Sequence, residues 1–172
     1  MAGLPANIAN FVKQEIRIAK TKPLLPVFEA VSNALDSIRE RDGGGKIRVT
    51  VIRQPDSVFD GSRGDPYAFF VDYDGVGFTE ANMAGFDQLY TDRKQLKGGK
   101  GRGRFAYLKV FDRVEIDSTY LDEAGKLRQR RFDFDLAYSG NRAELAAGSG
   151  RPATFVRLLA MRPDYAKFVP KE

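Results

Sequence analysis

Hydrophobic residues in the first forty positions recur with the period of an α-helix. Four of them share one helical face: Ile8, Phe11, Val12 and Ile16. This spacing predicts an amphipathic helix over residues 6–20. A second helix is predicted to begin near Pro26, because proline suits the first turn of a helix, and to continue until the glycines at 43–45.

After the second helix the pattern changes to the two-residue period of β-strands. Five stretches of alternating or continuous apolar residues predict strands: 47–51, 67–71, 114–118, 132–136 and 154–159. Short helices are predicted over residues 79–89 and 105–111. Hairpin-connected strands beside separate helices favour an α+β fold: a two-layer α/β sandwich with a mixed, mainly antiparallel sheet and helices on one face. No repeat or linker divides the chain, so residues 1–172 are predicted to form one domain.

Composition narrows the chemistry, because the 172 residues include no histidine, cysteine or tryptophan. This excludes a thiol nucleophile, a thiolate zinc site, an imidazole base and a phosphoacceptor histidine. Catalysis would therefore rely on carboxylates, amides, hydroxyls, lysine, arginine, backbone amides or a hard cation. No apolar run is long enough to span a bilayer and the first residues do not resemble a secretory signal, so we expect a cytoplasmic protein without a membrane partner.

The net charge of +5 is unevenly distributed along the chain. Residues 93–111 contain seven basic side chains and no acidic one. A local positive field of this kind predicts a phosphate-bearing partner, either a nucleotide or a nucleic acid.

The second helix carries a stripe of oxygen-bearing side chains. Glu29, Asn33 and Asp36 fall within roughly 60° of one another around the helix axis. Carboxylate and amide oxygens bind Mg²⁺, which usually takes one or two protein ligands beside substrate phosphates, and a neighbouring carboxylate can align or deprotonate a water molecule. The alternative is an ordinary amphipathic helix with a solvated polar face.

Two glycine-containing segments are further candidates. Asp72, Asp74, Gly75 and Gly77 follow the second predicted strand, where glycines allow a sharp turn and the approach of a planar ligand, and an aspartate can accept a hydrogen bond from an exocyclic amine. A turn that needs positive φ is the alternative. The second segment lies just before a predicted helix and combines basic side chains with bare backbone amides, a good anion site: Lys100, Gly101, Arg102 and Gly103. It lacks the Walker A pattern and has no preceding strand for a dinucleotide fold, but a flexible basic loop that contacts nucleic acid remains an alternative.

Taken in order, these segments resemble the ATP-binding domain of the GHKL superfamily, which includes type II topoisomerases, the ninety-kilodalton heat-shock chaperone, MutL, MORC ATPases and histidine kinases. Residues 29–37 (EAVSNALDS) look like its N box, 72–77 like its first glycine motif and 98–103 like its second. Residues 151–156 resemble the segment with its last conserved threonine. The resemblance covers about residues 5–160.

The resemblance implies ATP or ADP and Mg²⁺ as cofactors. Glu29 would activate the hydrolytic water, Asn33 would bind magnesium and Asp36 would line the nucleotide site through water. Gly75 and Gly77 would shape the adenine pocket, and Thr154 would support the aspartate that reads adenine. A lid over the phosphates would contain Lys100, Gly101, Arg102 and Gly103. Because the chain has this glutamate and no histidine, the resemblance favours the ATP-hydrolysing branches over the kinases.

One position departs from the family pattern. An ungapped match places Tyr73 where the family has the acid that reads adenine. Either one residue is bulged, so that Asp72 reads the base, or Asp74 has taken over. We favour Asp72 because it closes the strand.

The resulting prediction is an ATPase module with slow turnover in isolation, an ATP-linked homodimer in longer forms and further domains downstream in the same protein. Two alternatives remain: a nucleotide-binding module without useful turnover, and a nucleic-acid-binding module that uses the basic glycine-rich loop. The sequence does not choose among chaperone, DNA repair, chromatin and phage-defence roles.

Overall fold

A six-stranded antiparallel sheet organises the fold. The computed structural model describes residues 7–41, 43–87, 102–140 and 143–171. The strands are β1 (Ile47–Arg53), β2 (Pro66–Tyr73), β3 (Phe111–Leu121), β4 (Leu127–Asp135), β5 (Glu144–Ala147) and β6 (Ala153–Met161). Their order in the sheet is β1-β2-β6-β3-β4-β5, and every neighbouring pair is antiparallel. The predicted α+β class is confirmed, and the sheet is antiparallel throughout rather than mixed.

Five helices occur in the described ranges: α1 (Ile8–Glu15), α2 (Leu25–Arg39), α3 (Glu80–Phe86), α4 (Gly103–Val110) and α5 (Pro163–Ala166). The first helix is shorter than predicted. Its N-terminus is capped by the Asn7 side chain, which accepts a hydrogen bond from the backbone N–H of Asn10 at 2.9 Å. It ends because Ile16 adopts an extended conformation, which keeps that side chain in the core without a further helical turn. As predicted, Pro26 lies in the first turn of α2.

The face of the sheet that packs on the helices is apolar over most of its area. Strand register aligns four fully or almost fully buried side chains across four strands, here called the apolar row: Phe69, Leu158, Val114 and Phe134. Residues of α2, including Ala30 and Ala34, belong to the same core cluster. The opposite face carries charged pairs such as Arg131 with Asp117, 2.8 Å apart. Helices and sheet therefore form the two layers of a sandwich.

Candidate functional site

Four residues along each strand from the apolar row, the buried face of the sheet becomes polar. The same strand register aligns a second set of buried side chains, here called the polar row: Tyr73, Thr154, Ser118 and Arg130. The hydroxyls of Ser118 and Thr154 share a hydrogen bond at 2.8 Å. Arg130 donates to the carbonyl oxygens of Phe78 at 2.7 Å and Thr79 at 3.0 Å. These bonds offset part of the cost of removing polar groups from water.

The tyrosine of this row is neutral. Burial raises the pKa of Tyr73 to about 12, and a hydrogen bond with the Thr154 side chain opposes that rise only in part. Tyr73 thus presents a phenol to the helix side of the sheet.

A glycine turn, residues 74–78, joins the polar row to α2. The backbone N–H of Val76 donates to the carbonyl of Ser37 at 3.1 Å, and that of Gly77 donates to the Ser37 hydroxyl at 3.2 Å. Gly77 has a φ of +74°, and a Cβ there would lie 2.6 Å from the hydroxyl oxygen of Ser118. A Cβ on Gly75 would lie 2.3 Å from the Ser37 hydroxyl oxygen. Both glycines therefore permit close contact between the turn and its supports.

The polar stripe of α2 lies beside α4. Glu29 and Asn33 are both half-buried. A Cβ built on Gly103 would lie only 1.8 Å from a carboxylate oxygen of Glu29, so this carboxylate rests directly against the first residue of α4. One turn further along each helix, the Asn33 amide nitrogen donates to the Tyr107 hydroxyl at 2.9 Å. The stripe borders the contact between two helices.

At this contact α2 contributes a negatively charged side chain, and the start of α4 contributes partial positive charge. The N-terminus of an α-helix carries partial positive charge, which favours the nearby carboxylate of Glu29. Burial, and then the negative charge of Glu29, raise the pKa of Tyr107 well above its ordinary value, while the hydrogen bond from Asn33 opposes the shift. Tyr107 is accordingly a neutral hydroxyl at this boundary.

Two predicted aspartates, Asp36 and Asp74, differ in their surroundings. Asp36 lies 3.7 Å from Arg39 on its own helix. The Asp74 carboxylate accepts a hydrogen bond from the backbone N–H of Lys46 at 2.6 Å, which lowers its pKa with further help from the charge of Arg41. Asp74 thereby ties the glycine turn to the start of β1.

Two predicted contacts lie away from this cluster. Asp72 alternates with Tyr73 along β2 and is aligned with Arg48 and Phe155, so it occupies the opposite face of the sheet. Arg102 donates to the carboxylate of Glu15 at 3.2 Å, and so reaches α1. Lys100 and Gly101, the other two basic-loop positions predicted beside Arg102 and Gly103, lie outside the described residues.

The structure places most of the predicted positions that it describes in two groups along α2. Glu29, Asn33 and Gly103 lie where α2 meets α4, and Gly75, Gly77 and Thr154 lie where the glycine turn meets α2 and the polar row. Asp36 lies on the same helix and pairs with Arg39. Sequence reasoning gave no role at the site to three more residues: Ser37, Tyr107 and Ser118. A helical signal existed for two of them. Ser37 follows Asn33 by four residues and Tyr107 follows Gly103 by four, the spacing of neighbours on one helix face.

A separate surface hollow of about 480 Å³ shares no lining residue with the polar row. Two ion pairs cross its wall, Lys20 with Asp164 at 3.1 Å and Arg162 with Asp112 at 3.2 Å. Because these charges already neutralise one another, the hollow has less unpaired charge with which to bind a ligand than the contact between α2 and α4.

Two further findings bear on what the chain is. Across the part of the chain that the structure describes, no helix combines the length and apolar character needed to cross a membrane. Neither a scan against protein-family models nor a search of curated proteins finds a match to this chain.

Proposed function

We propose that this chain binds ATP with Mg²⁺ beside α2, the glycine turn and the start of α4, and hydrolyses it slowly. One observation carries the proposal: the Glu29 carboxylate rests against Gly103 at the N-terminus of α4, with Asn33 one helical turn away. A carboxylate, an amide and a helix N-terminus converge there, which suits a phosphate chain and its cation. The sequence resemblance to GHKL ATPases points to the same residues.

Magnesium would bind with few protein ligands. Within the described ranges, no three acidic side chains form a group that could hold a metal ion. Mg²⁺ commonly keeps several waters and takes one or two protein ligands beside substrate phosphates, so the amide oxygen of Asn33 fits such a site. When bound, the ion would supply neutralisation of charge on the phosphates.

Glu29 would act on the attacking water. Its carboxylate would accept a proton as the water oxygen bonds to the γ-phosphorus, and the bond from that phosphorus to the bridging oxygen would break to release ADP. Backbone N–H groups at the start of α4, near Gly103, would stabilise negative charge on the transferred group. The proton held by Glu29 would then pass to the phosphate product.

A second, narrower candidate function is nucleotide binding without useful turnover. It is favoured by the surroundings of the three residues that could read the base. Tyr73 presents a neutral phenol, Asp72 occupies the other face of the sheet and Asp74 is bonded to the backbone of Lys46. None of the three offers the arrangement that the resemblance implies for adenine. We therefore expect calorimetric titrations with ATP and GTP, each with Mg²⁺, to give affinities within about tenfold, since a strong preference comes from a dedicated hydrogen-bonding site.

The decisive experiment compares Glu29→Gln with Glu40→Gln. Glu40 follows α2 and is exposed, so its variant is the matched control for loss of one negative charge. Glu29→Gln should retain ATP binding and lose about 10²-fold or more in turnover, the scale of general-base catalysis, while Glu40→Gln keeps both. Equal turnover in the two variants would contradict the role of Glu29. Binding without turnover in the unaltered chain would favour the second candidate, and absence of binding would refute both.

A further inference from the structure

The β1 edge of the sheet is unpaired within the described part of the chain. β1 is the terminal strand and pairs only with β2. Among the residues that the structure describes, no hydrogen bond from any other element reaches the backbone of residues 48–52. Its outer N–H and C=O groups are available to another strand.

The helix side of this edge is apolar and incompletely covered. Val49 and Val51 are 44% and 41% exposed, although their register partners in β2, Val71 and Phe69, are buried. The helical layer therefore stops short of β1. The valines present hydrophobic surface directly beside unpaired backbone groups.

This edge lacks most of the devices that discourage edge-to-edge pairing. Residues 47–53 contain no proline and no lysine, although Arg48 and Arg53 are charged, and the pairing with β2 is irregular only between Ile52 and Arg53. The other edge strand differs: β5 has four residues and begins with a glutamate. Shortness is one usual protection of an edge strand. β1, with seven residues, is the longer of the two edges and therefore offers more backbone groups to a second strand.

The sequence of β1, IRVTVIR, is complementary to itself about its centre. In an antiparallel pair of two copies centred on Thr50, Val49 faces Val51 of the second copy and Arg48 faces Ile52 of the second copy. No arginine faces another arginine. β-branched pairs such as Val49 with Val51 stabilise antiparallel strands, and like charges directly opposite would destabilise them.

We propose that β1 is a homodimer interface, at which two copies of this chain join their sheets by antiparallel pairing centred on Thr50. The two-fold axis passes between the paired Thr50 residues, perpendicular to the sheet, as expected for a self-complementary C2 contact. Both helical layers then lie on the same side of a continuous twelve-stranded sheet, and four valines meet between them. No nucleotide takes part, so this dimer forms whether or not the chain binds ATP.

Cysteine cross-linking tests the register, because the chain contains no cysteine of its own. Directly opposite residues have Cα atoms about 4.5–5.5 Å apart, which suits a disulfide, so Thr50→Cys should give a covalent dimer on mild oxidation without nucleotide. Arg48→Cys is the matched control, since its two copies would be separated by roughly 14 Å along the strands. We expect at least about tenfold faster cross-linking of Thr50→Cys, and equal rates would overturn the proposed register.

Light scattering over a range of concentrations tests the interface itself. The unaltered chain should approach twice its mass of 19.2 kDa without nucleotide. Val51→Lys should remain monomeric, because a charge replaces an apolar contact at the interface. Val58→Lys, at a loop position 91% exposed, should dimerise like the unaltered chain. Circular dichroism checks that both variants are folded. A monomeric unaltered chain, or folded variants with equal dimer fractions, would refute the proposal.

Discussion

The apolar row and the polar row lie on the same face of the same four strands, and they differ in what they contribute. The apolar row fills the core with aromatic and aliphatic side chains. The polar row is just as deeply buried, yet it consists of a phenol, two hydroxyls and a guanidinium. A stable core does not require such groups, since burying them costs free energy unless each is hydrogen-bonded. The apolar row thus stabilises the sandwich, and the polar row holds the glycine turn against α2 at the candidate site.

The largest expected effect on stability comes from the apolar row. Phe134→Ala removes a fully buried ring that packs against Phe105 and Phe86. Cavity formation should lower the free energy of unfolding by about 3–5 kcal/mol. Urea denaturation followed by circular dichroism measures this, and a loss below about 1 kcal/mol would show that this row does not dominate the core.

A smaller effect is expected where the glycine turn meets the polar row. Gly77→Ala combines a positive φ with a Cβ only 2.6 Å from the Ser118 hydroxyl oxygen. Gly125→Ala is the matched control, with a φ of +71° and open space around it. We expect losses of about 1 kcal/mol for the control and about 2–3 kcal/mol for Gly77→Ala by the same denaturation assay. Equal losses would mean that contact with the polar row adds nothing.

The pH dependence of stability separates the two rows further. Because the pKa of Tyr73 is about 12 in the folded state and about 10 when unfolded, the folded state retains its proton more strongly. The stabilisation linked to this group is complete below pH 10 and is lost as pH rises towards 12. Tyr73→Phe should cost about 1 kcal/mol at pH 8 and weaken the decline between pH 10 and 11. Denaturation of both proteins at pH 8 and pH 11 tests this, and an unchanged slope would contradict it.

The smallest change in stability should accompany a large change in turnover. Gly103→Ala adds a Cβ that overlaps the flexible end of the Glu29 side chain, while alanine favours the helix by up to about 1 kcal/mol. The variant should therefore be as stable as the parent and lose at least about tenfold in ATP turnover, because Glu29 is displaced. Gly44→Ala, which meets nothing within 4 Å, should change neither property. If Gly103→Ala kept the parental turnover, the position of the Glu29 carboxylate would not matter for catalysis.

The sequence predicted the fold class well because its main strands carry a clear apolar pattern. It missed β5, whose residues Glu144–Ala147 include no β-branched side chain. It also missed the polar row, because the alignment of Tyr73, Thr154 and Ser118 depends on strand register, which forms only with tertiary pairing. The resemblance singled out Thr154 but gave no sign that Asp72 occupies the opposite face.

Chemical-shift mapping tests the central claim most directly. Mg²⁺ and ATP would be titrated into ¹⁵N-labelled protein while backbone amides and the Asn33 side-chain amide are followed. We predict saturable shifts concentrated at Asn33, Gly77 and Gly103, around the polar row and the start of α4. Shifts confined to the hollow beside Lys20 and Arg162, or no saturable shift at any amide, would contradict the account.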